Sequence, residues 1–148
     1  MKSCTTGLEH DAERVLEFFI HDELASQLPF MHSFPKNSCE VVSALLAEVL
    51  AAKYPDAEVV RICATTADGR EQHFWVEVGN KVVDPTSRQF DTEMPLVCDC
   101  PSPLVRMFSN IERQTPDGAL SALSTLGIQA DRRSMILERL GKGLGVES

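Results

Sequence analysis

Residues 73–90 read HFWVEVGNKVVDPTSRQF, and the alternation in this stretch decides the architecture around it. Gly79-Asn80 is a two-residue turn signal between the run ending at Val78 and the short run KVVD, which Pro85 stops. With those two residues at the turn, Val78 faces Lys81. Val83 then lies across from the neighbourhood of Phe74 and Val76, and Trp75 pairs with Asp84. Side chains alternate along a strand. Phe74, Val76, Val78 and Val83 therefore share one face, expected to meet helices. His73, Trp75, Glu77, Val82 and Asp84 share the other. His73 and Asp84 become diagonal cross-strand neighbours, a separation of roughly 7–8 Å between Cα atoms that side chains bridge. A carboxylate placed there fixes the histidine tautomer and stabilises the imidazolium.

Working outward, residues 57–65 (AEVVRICAT) read as a preceding strand, joined to 71–78 through the turn ADGR, so the three runs predict an antiparallel meander. Upstream, NSCEVVSALLAEVLAAKY predicts a helix to about Tyr54. Asn37 as N-cap and Glu40 three residues on form a capping box. The helix has few polar residues and is expected to lie buried near the centre of the fold. Cys39 takes its second position, where unpaired backbone N–H groups and the helix dipole favour thiolate. The same groups offer donors to an oxyanion beside the sulfur. A further helix is predicted over 11–28, ended by Pro29, with 29–38 as loop. Downstream, Ser102-Pro103 resembles an N-cap followed by proline at the first helical position. Leu104, Val105, Phe108 and Ile111 then suggest an apolar helix face to about Gln114. Residues 115–130 read as loop with one short helical turn. Asp131 is expected to cap a last helix to about Leu140, beyond which the chain should fray.

The bulk properties narrow the class. A chain of 148 residues, 43% hydrophobic and 24% charged, suits one globular domain spanning 1–148. Its net charge of −8, from 14 basic and 22 acidic residues, argues against nucleic acid as the main partner. Apolar runs fall short of the roughly 18 residues that a membrane span needs. The opening MKSCTTGLEHDAERVLEFF lacks the pattern of a cleavable signal, so a cytoplasmic protein is expected, with signal-less export left open. Five cysteines at irregular spacing make a poor disulfide framework and fit a reducing compartment.

The order Cys39, His73, Asp84, with the cysteine opening a helix, resembles the papain-like cysteine enzyme superfamily. Its transglutaminase-like branch is the nearest, through HFWVEV followed by a strand ending in DPT. The resemblance covers roughly residues 37–90. It implies an α+β fold in which a helix carrying the nucleophile packs on a small antiparallel sheet. It also implies that Cys39 is the nucleophile, His73 the general base and acid, and Asp84 the orienting residue. The activities it implies are amide hydrolysis on a peptide or protein (protease, amidase or protein glutamine deamidase) or transglutaminase-type acyl transfer, with no cofactor. Many papain-like enzymes carry a glutamine about six residues before the cysteine. Ser33 stands there in this chain, and the oxyanion donor is unassigned. Asn37, Ser38 and Trp75 are the candidate substrate or oxyanion contacts.

Two readings compete from other classes. One is a non-catalytic binding or adaptor protein with a papain-like shell. The other is a metal-binding or redox regulator built on Cys98 and Cys100, although C-x-C is not the usual spacing of structural zinc. The local expectation for these two thiols is a core edge or loop. His10, His21 and His32 read as surface groups, and Glu77 as a solvated neighbour of Trp75.

Overall fold

The computed structural model describes residues 4–28, 38–87, 95–123 and 128–146. Within them lies a small α+β domain whose central helix packs against a five-stranded antiparallel sheet. The helices are α1 (Cys4–His21), α2 (Cys39–Lys53), α3 (Pro116–Ala122) and α4 (Ala130–Gly143). The strands are β1 (Val59–Thr65), β2 (Gln72–Val78), β3 (Lys81–Val83), β4 (Val97–Asp99) and β5 (Asn110–Gln114). Their order across the sheet is β4-β3-β2-β1-β5. Among the described residues no helix is long and apolar enough to cross a membrane.

Helix α2 is central because nearly every side of it is apolar. Val41 to Ala47, Val49 and Leu50 are all buried. It ends where the sequence suggests, at Lys53 with Tyr54 as C-cap. Its start differs: Ser38 is the N-cap without a side-chain cap hydrogen bond, so Cys39 is the first helical residue and Glu40 the second. Asn37 lies outside the described residues. Helix α1 is amphipathic in the ordinary way, with Leu8, Ala12, Val15 and Phe19 buried along one stripe and Glu9, Glu13 and Glu17 exposed. It covers Cys4–His21 rather than 11–28, and only a short 3-10 turn, Ala25–Gln27, follows. Asp22 intervenes, and its carboxylate accepts from Ala25 N–H, which favours a turn over helix continuation.

The meander has the expected register. Val78 faces Lys81 and Val76 faces Val83, while Gly79 turns the chain with a φ of 60°. Val76, Val78 and Val83 join α1, α2 and α4 in the main core. On the opposite face, only Glu77 was expected to be solvated. That face carries a second, smaller core of Ile62, Ala64, Trp75, Val82, Leu104 and Phe108.

That cover comes from the segment predicted as a helix to Gln114. Ser102 and Pro103 do start a helical turn, and Ser102 Oγ accepts from Leu104 N–H at 3.1 Å. The turn is 3-10, ends at Arg106, and gives way to β5. Leu104 and Phe108 are buried, but Ile111 is on an edge strand and 45% exposed. Spacing over 104–111 therefore mimics a helix without one forming. Strands β4 and β5, at the two edges, escaped the sequence reading because they are short or charged. The short helical turn expected within 115–130 is α3, and Thr115 caps it by accepting from Gly118 N–H. The last helix is capped at Gln129, not Asp131, and extends to Gly143, with Leu144 buried after it.

Candidate functional site

His73 sits near the start of β2, and Asp84 immediately follows β3. The hairpin register brings them together: His73 Nε2 and Asp84 Oδ2 are 2.9 Å apart, and both side chains are buried. The second oxygen of Asp84 is also engaged. Oδ1 accepts from both the backbone N–H and the hydroxyl of Thr86, each at 3.2 Å. An aspartate before Pro-Thr is often a turn former. Here one carboxylate forms the turn with one oxygen and holds the histidine with the other. Asp84 N–H donates to Leu96 O, which ties the turn to the chain leading into β4.

The imidazole is walled by aromatic rings. Trp75 and Phe108 lie with ring centroids 6.0 and 5.9 Å from it. Trp75 is 1% exposed, and its Nε1 donates to Glu77 Oε2. It therefore packs the histidine from the interior rather than lining an open surface. Glu77 is half-buried, accepting as well from Arg113, and is not a solvated group.

Cys39 stands at the first position of α2 and is among the groups that act on the ionisation of this ring. Burial works against a charged His73. The Asp84 carboxylate opposes it by charge and by hydrogen bond, and Cys39 adds to the effect. Together they push the pKa up to about 9, so the ring carries a proton at neutral pH. Cys39 is half-buried and leaves part of its surface to solvent. Ser38, next to it, is buried, and its carbonyl accepts from Val42 N–H.

The other described thiols differ in character. Burial foremost raises the pKa of Cys63 and Cys98, and raises that of Cys100 to about 11, where Glu77 adds to the effect. Cys98 lies on the edge strand β4, and with Cys100 it packs against the smaller core, as a core-edge position predicts. His10 and His21 are exposed, and His32 lies outside the described residues.

Two contributors to this site were not singled out from the sequence. Thr86 stood in the quoted DPT motif, and its hydroxyl beside an aspartate two residues earlier was a legible signal. Phe108 carried no such signal, because its role depends on a long-range return of the chain over β2. Comparison with protein-family models, curated proteins and solved structures returns no match.

Proposed function

We propose that this chain is a cysteine-nucleophile amide hydrolase acting on a peptide or protein, as its resemblance to the transglutaminase-like branch of the papain-like superfamily implies. The observation that carries this is a buried imidazole held by Asp84 at 2.9 Å, with Cys39, at a helix start, among the groups that raise its pKa. A protonated imidazole beside a sulfur suits an ion-pair mechanism. The Cys39 thiolate attacks the amide carbonyl carbon, and the carbonyl π electrons move onto oxygen. His73 gives its proton to the departing nitrogen as the C–N bond breaks, leaving a thioester. Water then attacks the thioester while His73 takes its proton. Collapse releases the acid and restores the thiolate, and His73 is again protonated. An amine in place of water gives acyl transfer. Asp84 keeps the ring oriented through both steps.

The test is an activity screen that reads ammonia release, peptide cleavage and amine incorporation together, with Cys39→Ala as control. Turnover in one channel, lost in the control, is expected, and the channel identifies hydrolysis, deamidation or transfer. A parallel measurement needs no substrate. Iodoacetamide should label Cys39 ahead of Cys63, Cys98 and Cys100 near pH 7, because burial holds those three in the thiol form. Equal or slower labelling of Cys39 would sink the nucleophile assignment.

A further inference from the structure

The placement of Cys39 relative to His73 depends on how α2 is seated on the sheet, because no short-range connection links residues 39 and 73. One buried side chain spans that seam. Arg61, on β1, is 1% exposed. Its Nη1 donates to the backbone carbonyl of Glu40 at 3.0 Å, and its Nε donates to Gln114 Oε1 at 2.7 Å. The guanidinium also lies 4.6 Å above the ring of Phe74, the residue after His73. Glu40 is the residue after Cys39, and its carbonyl also accepts from Ser43 Oγ at 3.2 Å. One cation thus reaches the first turn of α2, the edge strand β5 and the strand that carries His73.

Burying a guanidinium is costly unless something specific holds it. Among the described residues no carboxylate lies within ion-pair distance of Arg61. Its direct partners are neutral oxygens and a ring face. The charged or titratable groups around it are Glu40, Cys63, Cys39 and Glu112, all of which favour its positive form against burial. A buried cation in this place does two things at once. Its fork fixes the turn that presents the sulfur, and it sets a positive charge near that turn.

We propose that Arg61 is a positioning residue for the nucleophile: by gripping the Glu40 carbonyl from β1, it seats the first turn of α2 so that Cys39 meets His73. This rests on Cys39 and His73 acting as the reactive pair. Arg61 touches no reacting atom. Its effect runs through the backbone one residue from the sulfur and through the positive charge it keeps there.

The test follows the thiol and the imidazole in the full chain, without substrate. Iodoacetamide alkylation of Cys39 is measured against pH, and His73 is titrated by NMR, in the parent, Arg61→Met and Arg61→Lys. In folded Arg61→Met, alkylation at pH 7 should slow by about tenfold as the sulfur loses its seat at the helix start. The His73 midpoint should fall with it, since Cys39 is one of the groups that raise it. Arg61→Lys keeps the charge but cannot grip two oxygens as a fork, and should land between the other two. Should Arg61→Met fail to fold, Arg61→Lys against the parent decides the matter on the same two curves. Curves that superimpose on the parent, with only thermal stability lowered, would reduce Arg61 to a packing residue and overturn the proposal. The hydrolase assignment is judged separately, by turnover in the Cys39→Ala screen.

Discussion

At the residue scale the site turns on one pairing. The Asp84 carboxylate holds His73 in a place where burial alone would keep the ring neutral. Asp84→Asn removes the charge and leaves the burial, so the His73 midpoint should move from about 9 towards or below its ordinary 6.5. NMR of the imidazole protons reads this directly. Turnover in the proposed hydrolysis should fall on the order of 10⁴-fold, the scale seen when the orienting carboxylate of a catalytic relay is neutralised. A midpoint still near 9 would show that Asp84 is not what holds the proton. This pairing was legible in the sequence because it is local: a two-residue turn and strand alternation place residue 73 beside residue 84 with nothing else assumed. Cys39 was legible only as a chemically suitable group at a helix start. A meeting of Cys39 with His73 requires packing between distant segments, which alternation cannot encode.

At the scale of elements, the segment 102–114 shows where pattern fails. Leu104, Val105, Phe108 and Ile111 have helical spacing, yet the chain makes one 3-10 turn and then adds a strand to β1. The winning influence is tertiary, since Leu104 and Phe108 cover the back of β2 while Asn110–Gln114 completes the sheet edge. Helix α2 was read correctly for the opposite reason: its apolar residues surround it, so burial on all sides follows from composition. The small core has a measurable consequence. Phe108 is 2% exposed, and its ring centroid is 5.9 Å from that of His73. Phe108→Ala should destabilise the fold by about 3–5 kcal/mol. Urea unfolding measures this as a lowered midpoint with an unchanged slope. A loss under about 1 kcal/mol would mean that this aromatic cover is dispensable.

At the scale of the whole molecule, the buried imidazolium makes stability depend on pH with a definite sign. A histidine whose pKa is higher in the folded state binds its proton more tightly there than in the unfolded chain. Its stabilising contribution is complete below the unfolded value of 6.5 and disappears as pH rises through the folded value of about 9. At 1.36 kcal/mol per unit, the loss across this window is up to roughly 3 kcal/mol. Cys100, lifted from 9.0 to about 11, acts in the same direction at higher pH, because the unfolded chain loses that proton first. The urea midpoint should therefore be level at acidic-to-neutral pH, fall between about 6.5 and 9, and continue down towards 11. His73→Gln separates the two contributions. It should be less stable than the parent at pH 6, flat across the histidine window, and still decline where Cys100 titrates. A parent protein whose midpoint holds constant from pH 6.5 to 9 would contradict a protonated His73 in the fold, and with it the ion-pair form of the mechanism.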